Sequence, residues 1–189
     1  MAAQAASQRS ILVFGDSLSA AYGIAQARGW VALLADELKR ERMNYIVVNA
    51  SISGETTSGG ASRIGAALEK HRPTVVIIEL GGNDGMRGLP ILQMKANLSA
   101  IIDKSQKAGA RVLLVGMKLP PNYGPEYTQA FERSFAELAK RYNTALLPFL
   151  LEGMAHKREL FQLDGIHLTE SAQPMVMQRV RKALAPLLR

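Results

Sequence analysis

The sequence predicts a three-layer α/β/α fold built on a flavodoxin-like, doubly wound parallel sheet of about five strands. Three observations predict it. Short apolar runs rich in β-branched residues alternate with segments whose apolar positions recur at helical spacing. The runs are continuous rather than alternating, the pattern of strands buried on both faces. Helical segments separate successive runs, so the chain has the crossovers that parallel neighbours need.

The elements follow in order. Ile11-Leu12-Val13-Phe14 is a strand ending at Gly15, and Val31, Leu34, Ala35 and Leu38 form the apolar stripe of the first helix. Tyr45-Ile46-Val47-Val48 is the second strand, ending at Asn49, and a weaker helix runs from Ala61 to Leu68. Thr74-Val75-Val76-Ile77-Ile78 follows Pro73 and leads to Gly81-Gly82. Met94, Leu98, Ile101 and Ile102 make the next stripe, with Gly109 as its C-terminal stop. Val112-Leu113-Leu114-Val115 ends at Gly116, and Phe131, Phe135, Leu138, Ala139 and Tyr142 define a fourth helix. Ala145-Leu146-Leu147 stops at Pro148, and Val176, Val180, Leu184, Leu187 and Leu188 form the last helical face.

A chain of 189 residues is one domain at a prior of roughly one per 150. The expected division is a single domain over residues 10–189 behind residues 1–9, a disordered leader or the remnant of an export signal. Met1 to Ser10 contains no apolar core of a signal peptide, and no apolar run approaches the ~18 residues of a membrane span. Hydrophobic residues make up 48% and charged residues 21%, which excludes a disordered or collagen-like chain. Cysteine is absent, which excludes a thiol nucleophile, a zinc-thiolate site, an iron–sulfur cluster and disulfides. Net charge is +7, but the basic residues are mixed with acids. Arg179, Arg181, Lys182 and Arg189, the clearest basic stretch, suit the end of a helix, so no nucleic-acid partner is expected.

In an open α/β sheet, ligands sit beyond the carboxyl ends of the strands. Residues with chemistry follow the apolar runs here. Gly15-Asp16-Ser17-Leu18 places a serine at a strand-to-helix junction, where alone it reads as a helix cap. It is not the G-x-S-x-G elbow, because Ser19 stands where that motif has its second glycine. Ser53-Gly54-Glu55 follows the second strand, and Gly54 has a bare backbone that suits a ligand contact or a turn. Gly81-Gly82-Asn83-Asp84-Gly85 follows the third, reading in isolation as an Asn-Asp turn. Asp164-Gly165-Ile166-His167 spaces a carboxylate so that it can return to an imidazole. His71 and His156 stand in polar surroundings and read as surface residues. Together these groups supply a nucleophile, a base, an orienting acid and oxyanion donors, a complete set for acyl transfer.

With these blocks in order, the chain resembles the GDSL, or SGNH, hydrolase family. The marks are Ser17 in GDSL, Gly54 in ISGET, Asn83 in GGND and His167 in DGIH. NASISG, ELGGNDG and LPPNYG make it most similar to the branch of acyl-CoA thioesterase I, arylesterase and lysophospholipase L1. The resemblance spans Ile11 to the C-terminus and departs at Leu168, where that branch often has proline, so a less rigid loop is expected there.

The resemblance implies Ser17 as nucleophile, His167 as general base and then acid, and Asp164 as its orienter. It implies an oxyanion hole of the Ser17 and Gly54 backbone N–H groups and the Asn83 amide. No metal or cofactor is called for. Asp16, Glu79 and Asp84 read as hydrogen-bonding supports. Met86, Leu89, Pro90, Leu119, Pro121 and Tyr123, with Phe149, Leu150 and Met154, are candidates for an apolar acyl groove. The implied substrates are small-molecule esters, acyl thioesters and lysophospholipids, without stable membrane insertion, for a monomer that is periplasmic or secreted, with the cytoplasm as the alternative. A carbohydrate O-deacetylase on the same fold and a non-catalytic flavodoxin-like binding module are the competing readings.

Overall fold

The computed structural model describes residues 9–188. Five strands form one sheet: β1 (Arg9–Gly15), β2 (Tyr45–Asn49), β3 (Val75–Glu79), β4 (Arg111–Val115) and β5 (Ala145–Leu147). Their order is β2-β1-β3-β4-β5 and every pairing is parallel. Among the described residues, six α-helices complete it: α1 (Trp30–Arg40), α2 (Thr57–His71), α3 (Gly82–Met86), α4 (Ile91–Lys107), α5 (Pro125–Tyr142) and α6 (Gln173–Leu184). Helices α1 and α6 pack on each other, as do α2 with α4 and α4 with α5. The predicted fold class is therefore the observed one.

The continuous apolar runs are the centre of the core. All five residues of β3 and residues 10–15 of β1 are buried. Phe14, Trp30, Phe131 and Phe135 are the largest fully buried side chains, with Phe131 and Phe135 edge to face at 5.3 Å. Both arginines of α6 serve structure: Arg181 pairs with Glu41, and Arg179 donates to the carbonyls of Phe149 and Leu150.

Four expectations need correction. The leader was expected to run through residue 9, but Arg9 pairs in register with Tyr45, because parallel pairing is set by backbone and not by apolarity. Residues 1–8 lie outside those described. Ser17 does not stand at a strand-to-helix junction: Asp16 to Gly23 form consecutive turns, with positive φ at Ala21 and Gly23, and α1 starts only at Trp30. Gly82 to Met86, read as a turn, form the short helix α3. The last helix ends at Leu184 and tightens into a 3₁₀ turn over Ala185–Leu187, where Pro186 has no N–H to give. The Gly109 stop holds, with φ +83° one residue beyond the C-cap of α4.

At the end of β4, Gly116 donates to Leu147 O and accepts from Leu150 N–H, bringing two backbones together. A Cβ there would lie 2.2 Å from Pro148 O. Gly116→Ala is expected to destabilise the protein by at least about 1–3 kcal/mol. The urea midpoint reads this, and a midpoint like wild type would mean that the 147–150 backbone yields freely.

Candidate active site

The order β2-β1-β3 makes the chain leave β1 toward β2 on one side while β3 lies on the other. This is a topological switch point, where connections part and leave a crevice beyond the strand ends. The loop after β1 carries Ser17, the loop after β2 carries Gly54, and α3 after β3 carries Asn83. The loop before α6 brings His167 to them from 150 residues away.

Ser17 Oγ lies 2.8 Å from His167 Nε2, and His167 Nδ1 lies 2.7 Å from Asp164 Oδ2. A carboxylate facing Nδ1 assigns the imidazole proton to that nitrogen and leaves Nε2 to accept from the serine hydroxyl. Asp164 Oδ1 accepts the backbone N–H groups of Ile166 and His167 at 2.9 and 3.0 Å. The His167 bond and these two amides hold the Asp164 carboxyl down to about 2, so it is anionic at neutral pH. The Tyr22 ring lies against the imidazole, centroids 4.3 Å apart.

The loop expected to be less rigid for lack of a proline is tied by other means. Phe161 and Leu168 form an antiparallel bridge, and Leu168 is buried. Gln162 donates its side-chain amide to Tyr22 O and Leu168 O. Arg158 caps the carbonyls of Phe161, Gln162 and Leu163.

Among the described residues, no protein acceptor engages the backbone N–H of Ser17 or of Gly54. Gly54 has φ +77°, a conformation that glycine adopts without penalty, and Arg87 donates to its carbonyl at 3.2 Å. The Gly54 loop is clamped by Arg63, which bonds Glu55 at 2.6 Å and Ala50 O at 2.7 Å and stacks 3.8 Å above the Phe14 ring. The Asn83 amide donates to Asp16 Oδ2 at 3.1 Å and to Glu55 O at 3.0 Å, tying α3 to both loops.

The acidic supports fall where expected. Asp84 accepts from Thr57 N–H and Oγ, fixing the start of α2, and Asn97 donates to the same Thr57 Oγ. Glu79 accepts from Ser19 Oγ at 2.6 Å, and Asp16 accepts from Leu18 N–H at 3.1 Å. Burial pushes the Asp16 carboxyl up to about 6, against the pull of its hydrogen bonds and of nearby His167. Burial, and then the charge of Asp16, push Glu79 well above its ordinary value.

A groove of about 420 Å³ opens beside Ser17 and Asn83. Met86, Leu119, Pro121 and Phe149 line it, as expected from the sequence. Leu89, Pro90, Tyr123, Leu150 and Met154 do not. Gly88 at φ +65° turns the chain so that Pro90 caps α4, and Leu89 O accepts from Tyr127. Tyr123 uses its hydroxyl on Met86 O, while Leu150 and Met154 are wholly buried in the core. The remaining walls are Leu18, Met117, Pro120, Leu151, Phe161 and Ile166, with Ala155 and Lys118. Periodicity gives no sign of these, since they come from three separate loops. A recess of about 700 Å³ between α1 and α6 contains none of the residues of the acyl-transfer set.

The chain is similar to known proteins along nearly its whole length. The GDSL-like Lipase/Acylhydrolase family matches residues 13–173. Esterase TesA of Pseudomonas aeruginosa is 48% identical over 185 residues, 98% of this chain and 92% of that protein. Thioesterase 1/protease 1/lysophospholipase L1 of Escherichia coli is 41% identical over 184 residues, 97% of this chain and 87% of that one. The crystal structure of TesA superposes with a TM-score of 0.93, covering 95% of this chain and 100% of that one. The psychrotrophic esterase EstA from Pseudoalteromonas, inhibited by monoethylphosphonate, has a TM-score of 0.92 at 43% identity over 95% of this chain and 98% of that one.

The raised carboxyls give a signed pH dependence. Asp16 and Glu79 bind protons more tightly folded than unfolded, so their contribution to stability is full below the ordinary values of 3.8 and 4.5. It is lost as pH rises, through about 6 for Asp16. Thermal unfolding from about pH 4 to about pH 8 should show wild type losing stability relative to Glu79→Gln as pH rises. Parallel curves would mean that Glu79 takes up no proton on folding.

Proposed function

This chain belongs to the GDSL-like lipase/acylhydrolase family, and on that premise we propose that it is a serine esterase and thioesterase acting through an acyl-enzyme on Ser17. The observation that carries the proposal is the unbroken chain Ser17–His167–Asp164, at 2.8 and 2.7 Å, opening on an apolar groove. Esterase TesA and thioesterase 1/protease 1/lysophospholipase L1, 48% and 41% identical, support carboxylic esters, acyl thioesters and lysophospholipids as the substrate classes.

The steps follow from the geometry. His167 Nε2 takes the hydroxyl proton while Ser17 Oγ attacks the carbonyl carbon. Asp164, anionic, stabilises the imidazolium and keeps the ring aligned. The carbonyl oxygen becomes an oxyanion, for which the free N–H groups of Ser17 and Gly54 and the Asn83 amide are the proposed donors. Collapse breaks the bond to the alcohol or thiol, which leaves with the proton from His167. Water then attacks the acyl-serine with His167 again as base, and the acid departs as Ser17 recovers its proton.

The groove walls are mostly methionine, leucine, proline, phenylalanine and isoleucine, with Lys118 as the one charged side chain away from the Ser17 end, which suits an alkyl chain and gives a sugar few partners. Trp30, the single tryptophan, is 1% exposed and lies outside the groove, so it offers a sugar no stacking face there, which tells against the deacetylase reading. A periplasmic or secreted location belongs to the same proposal and rests on the family resemblance; activity in the cytosolic fraction of fractionated native cells would refute it.

Hydrolysis of p-nitrophenyl esters from acetate to palmitate tests the reading. Ser17→Ala is expected to lower kcat by about 10⁶, and Asn83→Ala by about 10²–10³ with folding intact. Near-normal turnover in either would remove that residue from its role. Ala155→Trp, which adds bulk to an exposed wall of the groove, is expected to shift preference toward shorter acyl chains. An unchanged profile would place the chain elsewhere.

A further inference from the structure

Two carboxyl groups lie under the catalytic turn and take no part in the transfer itself. Glu79 ends β3 and is fully buried; Asp16, next to Ser17 in the chain, is 2% exposed. Glu79 Oε2 accepts Ser19 Oγ at 2.6 Å and the Asp16 N–H at 3.3 Å, one residue from Ser17 on one side and two on the other. Asp16 divides its oxygens: Oδ1 accepts Leu18 N–H and Oδ2 accepts the Asn83 amide, each at 3.1 Å. Gly15 makes this approach possible, since a Cβ there would stand 2.7 Å from Glu79 Oε2 and 2.8 Å from Ser19 Oγ.

Resting on the reading of Asn83 as an oxyanion donor, we propose that Asp16 is a positioning residue that aims the Asn83 amide at the catalytic turn, and that Glu79 holds Asp16 in place to do so. An asparagine side chain has two free torsions, and a donor that must find its angle during the reaction loses the advantage of preorganisation. Asn83 has neither torsion to spare. Glu55 O holds one N–H and Asp16 holds the other, so the amide plane is set from two loops. Asp16 belongs to the same turn as Ser17, so an oxyanion formed on Ser17 can share the N–H that Asp16 already draws toward that turn.

The charges fit this assignment. Glu79 Oε1 meets no donor and is buried, surroundings for a neutral carboxyl and not for an anion. Burial and the neighbouring Asp16 favour that neutral form. A single negative charge then remains beneath the turn, on Asp16. His167 lies near enough to stabilise it, and the attraction strengthens when the imidazolium forms.

A double-mutant cycle on purified full-length protein tests the proposal, with kcat and KM for p-nitrophenyl acetate and thermal unfolding of each variant. Asp16→Ala is expected to lower kcat by about 10–100-fold with KM within about threefold. Added to Asn83→Ala, it is expected to cost no more than about threefold further, because the donor it aims is gone. Glu79→Leu, which keeps bulk and removes both acceptors, is expected to follow Asp16→Ala in the same cycle. Losses that multiply, or a normal kcat in Asp16→Ala, overturn the proposal while leaving Asn83 its role. Near-normal kcat in Asn83→Ala alone removes the donor and the proposal together. A fall in melting temperature without loss of kcat in Glu79→Leu overturns the part assigned to Glu79. If Asp16→Ala does not fold, Asp16→Asn decides by the same criteria, since one acceptor then faces two N–H donors.

Discussion

The change of winding direction between β1 and β3 is the constraint on which the rest depends. Parallel strands cannot be joined by tight turns, so each connection must cross a face of the sheet. Connections that part on either side of one strand pair leave their own end of that pair uncovered. The fold therefore opens a crevice at a fixed place without cutting into the core. Loops after β1 and β2 and the helix after β3 surround it, each leaving a rigid strand.

A crevice at the end of a buried sheet carries a cost in polar groups, because the strand ends present N–H and C=O groups to a dry interior. Here the cost is met by short side chains that act locally. Glu79, Asp84 and Asn83 each make two bonds to neighbouring segments, and Asp16 makes one to its own turn and one to α3. Glycines supply the close approaches, Gly15 against Glu79 and Gly85 against Phe131 and Leu119. The turn that carries Ser17 is thus held from below by carboxyl groups and from the side by the Arg63 clamp, while its upper face is left to the groove.

The two kinds of carboxyl in this site differ by environment alone. Asp164 sits at the rim, 37% exposed, with the imidazole and two amides aimed at it, and its charge is favoured. Asp16 and Glu79 sit in the interior, where loss of water disfavours charge. In the proposed reaction the first serves the imidazolium of His167. The others hold geometry, Glu79 through its bonds to the turn that carries Ser17 and Asp16 through the Asn83 amide.

The sequence determined the sheet, the five longer helices and the residue types that gather at the site. Burial on both faces demands unbroken apolar strands, and such runs are readable residue by residue, as in Val75 to Ile78. The candidate acyl-transfer set was legible because Ser17, Gly54 and Asn83 follow strands, where a parallel sheet exposes them, and Asp164 and His167 stand three apart before the last helix. Tertiary structure alone decided how the chain leaves Ser17, that Gly82 to Met86 coil into a helix, and which apolar side chains face the groove. Leu89 and Leu119 look alike in sequence. One leads into α4 and the other lines the groove, because Gly88 turns the chain just before Leu89. Periodicity reports which face of a regular element is buried, but a loop has no period. The direction of a loop side chain is set by contacts from distant parts of the chain, and those exist only once the sheet has brought the loops together.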